Sequence, residues 1–474
     1  MTVVVLGAGP TGLSSAFKLA SLKKDVYLIE KESFTGGICA SFEHSGCILD
    51  LGPHRFTPHT KEIYEFVKSL AGVNLLLIKQ KLKVRLKGKF LPYPISPKDI
   101  ILSLSPLVSA GYILSFLGSA IAPGKKEIKT YRDWVIKRFG KNIYDDIFKP
   151  IAMKTWGMDP GDIDSLLAEQ RISMPGVKDI ILGMIKGKNK SDFQEGTYYP
   201  AGCFYYPETG IGNITSSIER SIRQDGGKTH TLTNATGINL HPEKRAVESI
   251  NIEKSGSRET LKTDFLISTI PLPVLIKLIN PAPPDEVIKA SKELKYRSLI
   301  LLYIIARKSF VSNCIGHYFP EKEFYLSRIS EQKNFSEKTV PSEKSVICIE
   351  LSCQKDDERW NQSDESLFKK AIKDLEKSGL LLESEVESFF SRRIAHTYPL
   401  YPVGFQKNLM TVLDYLKGIE NLITNGRLGL FKYNNLHHSL EMGLMAADHV
   451  LSGKPKEENW EKMTKIFDAY KMIE

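Results

Sequence analysis

Gly7, Gly9 and Gly12 form a GxGxxG pattern between an apolar run at residues 3–6 and a helical pattern that continues through Leu22. The first glycine permits a tight turn, the second lets a pyrophosphate reach the amides of the helix N-terminus, and the third lets helix and strand pack closely. Glu30 ends a second strand, Asp25 to Glu30, eighteen residues beyond Gly12. A carboxylate there accepts both hydroxyls of a ribose. Strand, turn, helix and acid in this register predict a dinucleotide site; the plainer alternative is a structural turn followed by a surface glutamate. The six cysteines are scattered, with no CxxC pair and no histidine partner at ligand spacing, so no metal site is expected.

Further pieces carry a resemblance. The segment from Glu30 through KESFTGG, with Gly36 and Gly37, resembles the second phosphate-contact loop of glutathione-reductase-type and amine-oxidase-type flavoproteins, which favours FAD over a nicotinamide. DLGPHRF, Asp50 to Phe56, is similar to the stretch that passes the flavin ring in these proteins, where Gly52 and Pro53 let backbone come close. His54 is then either a polar contact to the flavin or a capped turn histidine. At the far end, Asn425, Gly426 and Arg427, then Tyr433, Asn434, Asn435 and Ser439, lead into a helix reading SLEMGLMAADHVL. The resemblance brings that GR pair to the FAD diphosphate and aims the helix N-terminus at the flavin, where its partial positive charge favours an anionic ring.

Both ends resemble the amine oxidase and protoporphyrinogen oxidase superfamily, and the middle is similar to UDP-galactopyranose mutases of the eukaryotic type. The matching pieces are GKFLPYPI, IFKPIAMKTWGMDP, AEQRIS, TYYPAGCFYYPETGIGNI, FYLSRISEQKNFS, HTYPLYPVG and GRLGLFKYNNLHHSLEMGLMAAD. The resemblance implies FAD contacts at Gly7, Gly9, Pro10, Thr11, Gly12, Glu30, Lys31, Gly36, Gly37, Gly52, Pro53 and His54, and at Ala235, Gly426, Arg427, Asn435, Leu436 and Ser439. It also implies an Arg328 that binds a substrate diphosphate, followed by Asn334, Phe335 and Ser336; a strand-edge arginine paired with a glutamate is the equal alternative. Tyr93 and Tyr433 line the substrate cavity or are core tyrosines, and Trp134 and Trp156 are expected to pack helices. His54 and Tyr433 are the catalytic candidates. The chain departs from the mutases beside the flavin: the loop between Arg427 and Ser439 is shorter, and Leu436, His437 and His438 stand where those enzymes have Gln-Asp-His.

These residues need a scaffold that joins the two chain ends. The expected fold is α/β: a discontinuous FAD-binding Rossmann-like domain of glutathione-reductase type, with an inserted α+β substrate domain containing a helical subdomain. Residues 1–80, 196–290 and 395–474 are assigned to the FAD domain, 81–195 to the helical subdomain and 291–394 to a strand-rich substrate domain. Strands are predicted near 229–240, 246–252, 261–269, 298–306, 345–351 and 422–424, and helices over 61–71, 128–139, 143–153, 364–378 and 439–451.

The formal charge of +10 and pI near 9.0 suit an anionic partner. No nucleic-acid motif accompanies the basic residues, so the expected partner is an anionic small molecule, phosphorylated or nucleotide-linked; oligomeric state is left open. From Ile100 to Pro123 there is no charge, although Pro106 and Gly111 interrupt the run, and Lys125 and Lys126 follow it. Buried or substrate-covering helices, peripheral membrane contact through 100–126 and a membrane span are the three readings. The chain opens directly into a strand, which with the scattered cysteines predicts a cytoplasmic location. The leading functional expectation is an FAD-dependent oxidoreductase, with hydride passing from a phosphorylated, nucleotide-linked or lipid-linked sugar to flavin N5. A net non-redox sugar mutase is the alternative, and a non-catalytic flavin-binding protein at a membrane the third.

Overall fold

The computed structural model describes residues 1–121, 127–172, 198–470 and 472. Val3, Val4 and Val5 follow one another on the strand Thr2–Leu6, and all three are fully buried. Consecutive burial requires cover on both faces, as in a parallel sheet. Thr2–Leu6 is the middle of such a sheet, in the order Leu422–Thr424, Phe265–Ser268, Thr2–Leu6, Asp25–Ile29, Lys228–His230, parallel throughout. Val3 and Val5 pack into one core and Val4 and Leu6 into another on the opposite face. The sheet thus draws strands from the start, middle and end of the chain.

The first and last long helices of this unit, Pro10–Ser21 and Leu436–Ser452, lie in close contact. A Cβ on Gly443 would sit 2.0 Å from Ser14 Oγ and 2.2 Å from the Thr11 carbonyl, so only glycine admits this approach. Ser14 Oγ donates to the Leu440 carbonyl at 2.9 Å, and Ser15 Oγ to the Gly443 carbonyl at 2.9 Å.

A seven-stranded sheet forms the other large layer, in the order Val386–Pro399, Tyr296–Ala306, Ser345–Cys353, Arg328–Glu331, Gly316–Tyr318, Leu82–Leu86, Lys89–Tyr93. All eleven residues of Tyr296–Ala306 are buried. Ile300, Leu302 and Ile304 pack with Leu367, Ala371 and Leu375 of the helix Asp364–Lys377, while Leu299, Leu301 and Tyr303 pack with Cys47 and Leu49 of the hairpin Ser41–His44/Cys47–Asp50. Within the stretch expected to be helical from residue 81, Leu82–Leu86 and Lys89–Tyr93 are strands of this sheet, and the strand Val386–Pro399 runs across the boundary expected at 394.

Within that stretch the helices begin at Pro97. The uncharged run forms two, Pro97–Ser103 and Pro106–Ile121, broken where Pro106 stands, and a nearly continuous helical stretch runs from Lys141 to Trp156. Among the described residues no helix is long and apolar enough to cross a membrane. Lys125 and Lys126, Ser173 of AEQRIS and Thr197 of TYYPAG lie outside the described residues.

Candidate active site

A cavity of about 790 Å³ lies between the parallel sheet, the hairpin 41–50 and the strand Val386–Pro399. Gly7, Gly9, Pro10 and Thr11 of the first turn line it, with Glu30, Lys31 and Gly37 of the next loop. Pro53, His54 and Ala235 line it too. From the chain's end come Gly426, Arg427, Asn435, Leu436 and Ser439, and from the large sheet Arg328. The structure therefore brings residues separated by more than four hundred positions to one space. Gly12, Gly36 and Gly52 are not in its lining and shape the turns behind it.

The reason lies in the first βα turn. Gly12 has Gly7 behind it: a Cβ would stand 1.9 Å from the Gly7 oxygen. Gly9 is the opposite case, since a Cβ there meets nothing within 4 Å. The helix that follows has no side-chain cap, so its first-turn amides open onto the cavity beside Gly9 and Thr11. Glu30 Oε2 accepts from the Ala8 amide at 2.8 Å and Oε1 from the Glu32 amide at 2.9 Å, which fixes the carboxylate at the cavity edge. Burial pushes its pKa up, and those two amides pull it back.

Arg427 binds protein as well as facing the cavity. Its guanidinium donates to the Asn434 carbonyl, to Asn434 Oδ1 at 3.3 Å and to the Thr397 carbonyl at 3.5 Å. It therefore pins the turn before Leu436–Ser452 to the strand Val386–Pro399. His54 Nε2 lies 3.2 Å from the Leu51 carbonyl, and Nδ1 lies 3.9 Å from Cys39 Sγ. Burial first, and the Arg427 charge second, hold its pKa down to about 4. The ring is therefore uncharged near neutral pH, fastened to its own turn while it lines the cavity.

Arg328 is pulled in two directions as well. Its Nε and Nη2 donate to the two Glu350 oxygens, each at 2.6 Å, across the pairing of Arg328–Glu331 with Ser345–Cys353. The paired-arginine alternative is thus realised on one edge of the fork, while the side chain still lines the cavity. Asn334 and Ser336 do not reach it: Asn334 Nδ2 donates to the Ser312 and Cys314 carbonyls, and Ser336 Oγ to the Glu208 carbonyl.

Tyr433 and Tyr93 stand away from the cavity lining. The Tyr433 hydroxyl donates to the Pro399 carbonyl at 2.7 Å and accepts from Trp156 Nε1 at 3.1 Å, deep in the core. With both hydrogen-bonding roles taken and no place in the lining, it is a packing residue, as are Trp156 and Trp134. Tyr93 stands outside the lining against Tyr318, ring centres 5.0 Å apart.

Sequence reasoning missed much of the wall. Arg55, Arg171, Arg392 and Arg393 line the cavity, with Phe42, Trp360 and Tyr398. Together with Lys31, Arg328 and Arg427 they make seven cationic side chains against two carboxylates, Glu30 and Glu32, both at the nucleotide end. Behind Ser41 of the lining lies a buried network around Asp50, which accepts from Ser41 Oγ at 2.6 Å, from the Ile211 amide at 3.1 Å and from the Tyr206 hydroxyl. Burial raises the Asp50 pKa to about 6.

Behind Leu436 three histidines converge, an arrangement that spacing along the chain gave no sign of. One ring nitrogen each of His59, His437 and His438 lie within 4.8 Å of one another. The Asn435 amide donates to His438 Nδ1 at 3.2 Å, which leaves the ring proton on Nε2, facing His437 Nε2 at 3.1 Å. His437 Nδ1 then meets Thr57 Oγ1 at 3.2 Å, and His59 Nε2 meets Glu441 at 3.0 Å. A cation on His438 Nε2 would force the proton onto Nδ1, against an amide already pointing there. Burial holds His437 and His438 well below the ordinary histidine range, so the observed hydrogen bonds describe neutral rings ending on Thr57 at the cavity.

Residues 10–389 match the family model described as flavin containing amine oxidoreductase. The chain belongs to this family. Among its curated relatives, mitochondrial protoporphyrinogen oxidase of Nicotiana tabacum is 28% identical over 47% of this chain and 48% of its own length. A probable UDP-galactopyranose mutase of Klebsiella pneumoniae is 21% identical over 35% of this chain and 44% of its own. These matches span about half of each relative. The fold is similar to a crystal structure of reduced UDP-galactopyranose mutase, with TM-score 0.82 and 23% identity over 95% of both chains. It is also similar to a putative protoporphyrinogen oxidase from Exiguobacterium sp. 255-15, with TM-score 0.71 and 16% identity over 96% of this chain and 99% of that one. The cofactor of this flavoprotein is FAD. The residues fit it: uncapped amides and the open side of Gly9 suit the diphosphate, the fixed Glu30 carboxylate suits a ribose, and the cavity joins both to Arg427 and the start of Leu436–Ser452.

Proposed function

We propose that the protein is an FAD-dependent oxidoreductase that removes a hydride from an anionic sugar substrate, phosphorylated, nucleotide-linked or lipid-linked. The observation that carries this reading is the set of guanidinium groups on the cavity wall away from Glu30: Arg171, Arg328, Arg392 and Arg393 line the same space as the dinucleotide residues, with Glu350 paired to Arg328 and Asp364 to Arg393 from outside that lining. Guanidinium forks suit phosphate oxygens, and Glu350 holds Arg328 in one orientation. FAD, when bound, supplies the two-electron acceptor. The protein's share is to bind the anion, orient the sugar and keep the pocket dry behind Phe42, Trp360 and Tyr398. A second reading, a flavin-dependent sugar mutase without net redox change, is supported by the likeness along 95% of both chains to the reduced mutase structure.

One anaerobic experiment separates them. The yellow protein is offered a panel of phosphorylated and nucleotide-linked sugars while its flavin absorbance is followed. Bleaching by a substrate, with one oxidised product per flavin, is expected for the oxidoreductase. Isomerisation by the pre-reduced protein, with the flavin ending as it began, would replace that reading with the mutase.

A further inference from the structure

The positive charge of this chain is concentrated. Between residues 79 and 154 there are sixteen Lys and Arg against five Asp and Glu, a surplus of eleven, whereas the whole chain carries a surplus of ten. The rest of the molecule is close to neutral. Inside that basic segment lies the uncharged run from Ile100, whose described part folds as the end of the helix Pro97–Ser103 and the helix Pro106–Ile121.

Only the inner side of this hairpin is packed. Ile100, Leu104 and Tyr112 are buried with Val84, Leu86 and Leu91 of the strands beneath, and Ser109 Oγ donates to the Ile100 carbonyl at 3.1 Å. The outer side is apolar and open: Leu107 is 88% exposed, Leu102 73%, Leu114 69% and Ile101 54%, with Ile113 and Leu117 also exposed. Single exposed leucines are ordinary, but six large apolar side chains on two adjoining helices form a patch that marks an interaction surface.

Cations rim it. Lys98 is exposed on the first helix, and Lys89 Nζ donates to the Ser103 carbonyl at its end. Asn142 bonds Ser115 Oγ and the Gly111 carbonyl, which sets Lys141 and the exposed Lys137 and Arg138 beside the second helix. The acids nearby are engaged: the Asp99 carboxylate accepts from the amide and hydroxyl of the N-cap Ser96, Asp145 pairs with Lys141 and Asp146 with Lys87.

We propose that the outer face of the hairpin 97–121 docks on an anionic lipid bilayer, its leucines entering the acyl boundary while the surrounding lysines and arginines meet the headgroups. An apolar face ringed by cations is the interfacial design, in which buried area and attraction to anionic lipid add. A second copy of the chain is the poorer occupant, because two identical faces would bring their basic surpluses together. The same platform holds Tyr318, whose hydroxyl lies 3.4 Å from Arg328 Nη1, so the docking face adjoins the cavity wall. The docking stands whether or not the redox reading does.

Sedimentation of the FAD-loaded, full-length protein with vesicles of phosphatidylcholine alone, or mixed with phosphatidylglycerol, tests this. The protein is expected to pellet with the mixed vesicles, less so as salt rises. The triple variant Leu102→Ser/Leu107→Ser/Leu114→Ser should lower partitioning at least about tenfold with flavin content and melting temperature unchanged, and Lys98→Glu/Lys137→Glu should weaken it mainly at low salt. Wild type that stays in the supernatant, binds both vesicles equally, or pellets as well when the three leucines are replaced overturns the proposal. So does a lipid-free dimer that the leucine variant dissociates, since the face would then belong to a second copy.

Discussion

At Asp50 the surroundings decide the protonation state. Hydrogen bonds from Ser41, Tyr206, Ile211 and Gln332 lower its pKa and burial raises it, and burial wins, with the result near 6 against an ordinary 3.8. A folded-state pKa above the unfolded one means that the folded state holds the proton more tightly, so this contribution to stability is present below about pH 4 and is lost as pH rises through about 6. Two pKa units set its size at roughly 3 kcal/mol at most. Urea unfolding at about pH 4 and about pH 7 should therefore show the wild type losing stability relative to Asp50→Asn, by up to that amount; parallel curves would deny the shift. His54 shows the same physics with the opposite sign of charge, kept neutral by burial and Arg427. Neither state was legible from residue type. The glycines and Glu30 were, because their work is done within one βα unit and its next loop. Arg171, Arg392 and Tyr398 were not, because no local pattern marks them and only the tertiary fold turns them to one cavity.

The elements carry a second lesson in close approach. The Pro10–Ser21 helix has the turn at Gly7 on one side and the Leu436–Ser452 helix on the other, and at both contacts a methyl group has no room, 1.9 Å from Gly7 O at Gly12 and 2.0 Å from Ser14 Oγ at Gly443. Gly12→Ala and Gly443→Ala should each cost at least about 2 kcal/mol in chemical denaturation of the FAD-free protein; a change within about 0.5 kcal/mol would show that the contact yields. Most parallel-sheet strands were readable as apolar runs, and Leu422–Thr424 appears with the bounds expected; the edge strand Lys228–His230 is polar, and the single strand expected over 229–240 is split between two sheets. Leu82–Leu86 was missed although its signal was present: Leu82, Val84 and Leu86 alternate with Lys83, Arg85 and Lys87, a period of two that a charge-rich segment disguised. At Tyr433 the core alternative is the one that the hydrogen bonds match. Trp156 and the Pro399 carbonyl take its hydroxyl, contacts between residues far apart in the chain that no local pattern announces.

Across the whole molecule, the cofactor residues and the arginines of the proposed substrate region line one cavity, formed where the two chain ends meet the large sheet. Inorganic pyrophosphate should accordingly bind the FAD-loaded protein with an affinity that falls as salt rises, and Arg328→Lys should weaken it about tenfold by replacing a fork with a point charge; equal titration curves would remove Arg328 from the anion site. The most direct test of the account is titration of FAD-free protein with FAD, wild type against Gly9→Ala. Gly9 has extended backbone and empty space ahead of it, so alanine fits the fold and intrudes only on the cofactor. The predicted result is one FAD per wild-type chain with a raised melting temperature, and a variant equally stable without FAD whose affinity for it falls at least about tenfold. Folded wild type that takes up no FAD, or a variant that binds it as tightly, would contradict the account.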